Sequence, residues 1–338
     1  MAHQHPPHLA IAYVHFYVDD LDHWQTWFQT IFQLQTADCR NIFPFLTGKT
    51  TVLRNHSLTF VLSAPQTPDD AVAQYLQHRP CGVVDVAFYG DRPEFFPVNP
   101  HRQPVQILQN NVGFQHTLIY RQQVPKTNQK IDHLVLNVPA GKLLETVQWY
   151  EVKLGFHRQQ SFRIATKYSG LTSQVLAHPS GIQFPINQPG AGHSQIQEFL
   201  DYNHGSGIQH IALKCKELPQ QIHHFRQQKL AFLEVPDTYY ENLGERYPDL
   251  KKLPQWPEIQ REKILVDVVR SPQEMLFQIF TQPIFDEPTF FWEFIERKHQ
   301  AQGFGEGNFQ ALFEAIEQAQ RQRLVSPHAG VNWLRNSR

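Results

Sequence analysis

Two histidines and one glutamate, His133, His210 and Glu293, carry the chemistry that the 338-residue chain has to organise. His133 and His210 lie 77 positions apart and Glu293 lies 83 beyond, so only the fold can bring them together. Each sits in a run that reads as a strand: Ile131–Val138, Gly207–Leu213 and 289–295. Two imidazoles and one carboxylate on an octahedral metal leave three adjacent positions open. That arrangement is associated with non-haem Fe(II) that binds an oxidisable substrate and O2 together. Zinc is the competing occupant, although it more often closes its shell or keeps a single water. Nineteen histidines make chance sets common. His116, His157, His193, His204 and the pair His223–His224 are expected on loops or exposed faces, and His3, His5 and His8 in a mobile tail.

The middle strand contains a conflict. In Gly207-Ile-Gln-His-Ile-Ala-Leu213 successive side chains point to opposite faces, so Gln209 and His210 cannot both enter one cavity without a bulge or twist.

The elements that must position these residues recur along the chain. A strand at 11–18 is followed by Asp19-Asp20, which can cap a helix whose Trp24, Trp27, Phe28 and Phe32 share one face. Strands are predicted at 50–53, 58–63, 83–89, 105–108 and 114–120. A second copy opens with the strand Ile131–Val138, followed by a helix whose Leu143, Val147, Tyr150 and Leu154 share a face and which Gly155 caps. Strands then follow at 173–177, 181–185, 207–213, 264–270, 275–280 and 289–295. Trp27-Phe28 answers Trp149-Tyr150, and Gly82-Val-Val-Asp-Val-Ala-Phe88 answers Gly207–Leu213. Two tandem α+β domains follow: residues 1–121, a linker at 122–130, and residues 131–338. Where the second half has His133, His210 and Glu293, the first has Tyr13, Asp85 and Thr117, so only the second is expected to hold a metal.

Composition narrows the classes. With 30 Lys+Arg against 31 Asp+Glu and no basic run, the chain points away from nucleic acid and membrane surfaces. Forty-one per cent hydrophobic residues supply a core. Cys39, Cys81 and Cys215 are too few and scattered for a disulfide framework, which fits a reduced, cytoplasmic setting. No export signal or apolar span is read. Gly303, Gly305 and Gly307 resemble a dinucleotide fingerprint, but no βαβ unit precedes them. The helix after them, with Phe309, Leu312, Phe313 and Ile316 on one face, is expected to close over the site.

Five blocks in order, Ile131–Val138, Gly205–Leu213, Gln278–Pro283, Phe290–Arg297 and Gly303–Phe309, resemble the 4-hydroxyphenylpyruvate dioxygenase family of the vicinal oxygen chelate superfamily. The resemblance covers most of residues 131–320. It implies tandem domains of paired βαβββ modules, each a half-open barrel, with the C-terminal helix closing the active site. It also implies Fe(II) held by His133, His210 and Glu293, and a pocket bearing Ser173, Asn187, Gln195, Gln209 and Gln278. Pro185, Phe280, Phe291, Phe304 and Phe309 would face the substrate. The implied reaction takes 4-hydroxyphenylpyruvate and O2 to homogentisate and CO2 by oxidative decarboxylation, ring hydroxylation and side-chain migration, for tyrosine catabolism or for tocopherol and plastoquinone synthesis. No other cofactor is expected, and a homo-oligomer is. Alternatives are a hydroxymandelate synthase acting on the same substrate, an extradiol catechol dioxygenase, and a metal-free module that binds a small aromatic.

Overall fold

The computed structural model describes residues 8–38, 43, 46, 48–91, 105–126, 128–165, 170–190, 194–269, 273–305, 307 and 308. The first half forms one mixed sheet of β1 (Leu9–Tyr17), β2 (Gln35–Ala37), β3 (Lys49–Arg54), β4 (Thr59–Ala64), β5 (Gly82–Gly90), β6 (Val105–Gln109) and β7 (Gln115–Tyr120), in the order β2-β3-β4-β1-β5-β7-β6. The second half forms another from β8 (Ile131–Asn137), β9 (His157–Ala165), β10 (Gly170–Ala177), β11 (Gln183–Pro189), β12 (Gly207–Lys214), β13 (Leu265–Val268), β14 (Met275–Phe280) and β15 (Phe291–Arg297). Its order is β13-β14-β15-β12-β8-β11-β10-β9. Read from opposite edges, the orders coincide, and β13 is the one addition. The helices are α1 (Leu21–Phe32), α2 (Ala71–Leu76), α3 (Leu143–Leu154), α4 (Gln195–Tyr202), α5 (Leu218–Gln227), α6 (Asp237–Arg246) and α7 (Trp256–Arg261). Together the two halves form the tandem α+β arrangement expected of vicinal oxygen chelate modules.

Register makes the repeat residue-specific. In β1·β5, Tyr13 faces Ala87 and His15 faces Asp85; in β8·β12, His133 faces Ala212 and Val135 faces His210. In the parallel pairs, Asp85 faces Gln115 as His210 faces Phe291. Tyr13, Asp85 and Thr117 therefore occupy the positions of His133, His210 and Glu293.

Local chemistry sets the helix ends. Asp20 caps α1 by accepting from the Asp22 and His23 amides, and Trp24, Phe28, Ile31 and Phe32 are buried. Gly155 ends α3 at φ 73, a left-handed conformation that costs glycine no side-chain clash.

Aromatic packing joins the halves. Trp292 of β15 is ringed by Phe16, Phe28, Phe32 and Phe60 of the first half, with centroids 4.9 to 6.2 Å away. His116, expected on a loop or exposed, is instead fully buried on β7: Nδ1 meets the Val86 carbonyl at 2.9 Å and Nε2 meets the Tyr150 hydroxyl of α3 at 2.7 Å. Two partners let a polar ring replace an apolar one at this seam. Asn128, in the connecting stretch, has φ 50. Its amide donates to the Ile11 and Ala12 carbonyls and accepts from Thr59 N, pinning the connection to the first sheet. Among the described residues no helix is long and apolar enough to cross a membrane.

The inner faces differ. Tyr13, Phe43, Val52, Val61 and Tyr89 fill that of the first sheet, whereas the second encloses a pocket.

Candidate metal centre and pocket

Three adjacent strands converge on one point. His133 on β8, His210 on β12 and Glu293 on β15 are all buried, and one ligand atom from each lies within 4.8 Å of the others. Glu293 Oε2 is 3.2 Å from His133 Nε2 and 3.6 Å from His210 Nε2. Neighbouring ligands about 2.1 Å from an octahedral cation sit about 3 Å apart, so these separations suit a shared ion.

Two bulges build this geometry. The β8·β12 register skips between Ile208 and His210, leaving Gln209 as the extra residue, and again between Ala212 and Leu213, opposite Asp132. The first bulge resolves the alternation conflict: Ile208 and Ile211 both enter the apolar core, while Gln209 and His210 both line the pocket. The second frees Asp132 from the ladder, and its carboxylate reaches His133 Nδ1 at 2.9 Å. The β1·β5 pairing skips at the matching places, beside Val84 and Ala12.

Around the ligands runs a network that sequence reasoning missed. Arg297 grips Asp132 with Nε at 2.9 Å and Nη2 at 2.7 Å, and its Nη1 donates to the carbonyls of Ala301 at 3.1 Å and Gly303 at 2.8 Å. Burial alone would raise the Asp132 pKa, yet Arg297 and His133 hold it well below the usual carboxylate range. Burial likewise opposes charge on His133, but Glu293 and Asp132 prevail and lift its pKa to about 9. A proton on this ring thus stands where a cation would attract the same carboxylate. His210 is shifted the other way, first by burial and then by repulsion from His133. Its ring stacks on Phe291 at 4.8 Å, and its Nδ1 has no hydrogen-bond partner among the described residues.

Gln278 holds the third candidate ligand, Glu293. Its Nε2 donates to Glu293 Oε1 at 2.9 Å and to the Phe304 carbonyl at 3.0 Å. Both partners are acceptors, which fixes the amide: Oε1 turns to Asn308, whose nitrogen donates at 2.8 Å, and the Asn308 oxygen accepts from Tyr239 at 3.0 Å. A side chain at Gly305, φ 78, would place Cβ 1.7 Å from Gln278 Oε1, so only glycine fits.

The pocket takes in most of the expected residues. Pro185, Asn187, Gln195, Gln209, Gln278, Phe280, Phe291 and Phe304 line it beside the three ligands. Val135, Phe162, Ile164, Leu171 and Ile196 add apolar wall that the sequence reading did not include. Ser173 is fully buried, opposite Asn187 in the β10·β11 register, and is not among the lining residues. Asn187 donates to Asn137 Oδ1 at 3.3 Å. Phe309 and the closing helix lie outside the described residues.

In the first half the matching positions are hydrogen-bonded to one another. Tyr13 donates to Asp85 Oδ2 at 3.3 Å, and the Thr117 amide donates to Asp85 Oδ1 at 2.8 Å. Burial raises the Asp85 pKa to about 6.

Residues 130–249 match the model of the Glyoxalase/Bleomycin resistance protein/Dioxygenase superfamily. An uncharacterized protein of Synechocystis is 34% identical over 94% of this chain and 100% of its own length. The chain belongs to this superfamily. This superfamily member is also 45% identical to a 4-hydroxyphenylpyruvate dioxygenase of Legionella pneumophila, over 57% of the chain and 55% of that relative. The match therefore spans about half of that enzyme's length. In three dimensions it shares its fold, at TM-score 0.79 and 23% identity, with a mutant of 4-hydroxymandelate synthase from Streptomyces coelicolor, covering 94% of this chain and 100% of that one.

Proposed function

We propose that the chain is an Fe(II)-dependent dioxygenase converting 4-hydroxyphenylpyruvate and O2 to homogentisate and CO2. The observation that carries this reading is the convergence of two buried imidazoles and one buried carboxylate on a pocket whose other polar lining groups are neutral amides. The 45% identity to a 4-hydroxyphenylpyruvate dioxygenase supports the choice of substrate. Residues 131–338 would form the catalytic unit and residues 1–121 a companion joined by 122–130.

When bound, Fe(II) supplies open positions for a chelating keto acid and redox chemistry toward O2. The chain's own groups divide the remaining work. His133, His210 and Glu293 hold the ion; Asp132 orients the His133 ring, and Gln278 orients Glu293. Gln195, Gln209 and Asn187 offer donors and acceptors that orient a phenol and a keto acid without adding charge. Phe280, Phe291 and Phe304 bracket the ring and exclude water.

The test is an anaerobic Fe(II) titration followed by O2 and 4-hydroxyphenylpyruvate, with the product identified by mass and ring substitution. Homogentisate is the expected product; 4-hydroxymandelate would overturn the ring-hydroxylation reading, and absence of iron uptake would overturn the metal reading. His133→Ala is expected to abolish iron binding and turnover. Tyr13→Ala, at the matching position of the other sheet, is expected to leave iron binding intact and cost only stability.

A further inference from the structure

Two of the three candidate ligands are tied to one short stretch, Ala301–Phe304, by separate bridges. One runs from His133 through Asp132 to Arg297, whose Nη1 holds the Ala301 and Gly303 carbonyls. The other runs from Glu293 through Gln278 to the Phe304 carbonyl. The loop closes on itself, because the Phe304 ring packs edge-on against His133 at 5.3 Å and walls the pocket. Gly303 at φ 93 and Gly305 at φ 78 give the stretch a backbone path that presents its carbonyls inward.

We propose that Arg297 is a positioning residue that couples cation occupancy of the site to the order of the Ala301–Phe304 stretch. The guanidinium is a rigid planar fork, so the pair of bonds to Asp132 and the bonds to the two carbonyls cannot shift independently. A cation that fixes His133 fixes Asp132, and through Arg297 it fixes the wall over the pocket. The coupling is reciprocal, so an ordered wall tightens cation binding by the same factor. Lysine could not replace it, since a single ammonium cannot span the carboxylate and both carbonyls.

This inference rests on the metal reading of the site, and one experiment separates the two. Backbone amide exchange across residues 298–305 is measured in the full chain with and without Zn(II), a redox-inert probe, alongside its affinity by competition titration. In the unaltered chain Zn(II) is expected to slow exchange in this stretch. Arg297→Lys is expected to weaken Zn(II) binding on the order of 10-fold and to abolish the Zn(II)-dependent protection. Asp132→Asn, which leaves the Arg297 fork a single acceptor oxygen at this position, is expected to weaken binding similarly and to reduce the Zn(II)-dependent protection at 298–305; full protection in this variant would overturn the coupling through Asp132. An unaltered chain that binds Zn(II) with no change in exchange overturns the coupling alone. A chain that takes up neither Zn(II) nor Fe(II) overturns the metal reading and the coupling with it. Arg297→Lys at unaltered affinity and protection overturns the role of Arg297.

Discussion

At Asp85 the molecule keeps a carboxyl where the other sheet keeps the candidate ligand His210, and burial makes its ionisation costly. Its pKa in the fold, about 6, exceeds the ordinary 3.8, so folding favours the neutral form. That contribution is complete below pH 3.8 and is lost as pH rises through 6, above which the buried charge is a standing penalty. Asp85→Asn should therefore stabilise the protein at pH 8 by at most about 3 kcal/mol, and the gap should close near pH 4. Urea denaturation at pH 8, 6 and 4 tests this; equal stability of the two proteins at all three would refute it. That His133, His210 and Glu293 would come together was legible in sequence because each has a counterpart of another type in the first half. Asp132 and Arg297 were not, because their roles come from a bulge and from a contact across 165 positions, neither of which leaves a periodic trace.

The elements were read well where pattern and burial agree. β14 is found at the predicted 275–280, and Asp20 and Gly155 cap α1 and α3 as expected. β9 was missed because His-Arg-Gln-Gln-Ser-Phe-Arg-Ile-Ala is a polar edge strand with no clean alternation. α4 was missed because eight residues give few helical turns to count, although Ser194 caps it and Ile196, Phe199 and Leu200 make its buried face. The bulge at Gln209 is the element-level feature that shapes the candidate site, since it lets two successive side chains line one cavity. They should separate on mutation. Gln209→Ala is expected to leave Fe(II) affinity within about two-fold while raising KM for the keto acid by roughly 2–10-fold, the worth of one neutral hydrogen bond. Steady-state kinetics with a parallel metal titration checks it, and a variant that loses iron first would show that Gln209 supports the ligand and not the substrate.

Across the whole molecule, the first half packs against the half that carries the candidate ligands. Trp292 lies on the strand that carries Glu293, yet first-half phenylalanines ring it. Trp292→Ala should cost about 3–5 kcal/mol. Because the cavity would open at the seam, amide exchange should quicken in β1 and β4 as well as in β15. Acceleration confined to the second sheet would mean that the halves are stable separately. This seam was illegible in sequence: Phe16, Phe28 and Trp292 announce burial, but no periodicity says that they are buried against each other. The offsets beside Val84 and Ala12 recur in the sheet whose matching positions are Tyr13, Asp85 and Thr117. The same kinked frame therefore forms in a sheet that carries no trio of two histidines and a glutamate at those positions. Tyr13→His, Asp85→His and Thr117→Glu together set three donors on the same register, and Phe43→Ala would clear the plug in front of them. Cobalt(II) absorption in a chain already carrying His133→Ala would report whether this sheet then binds the ion.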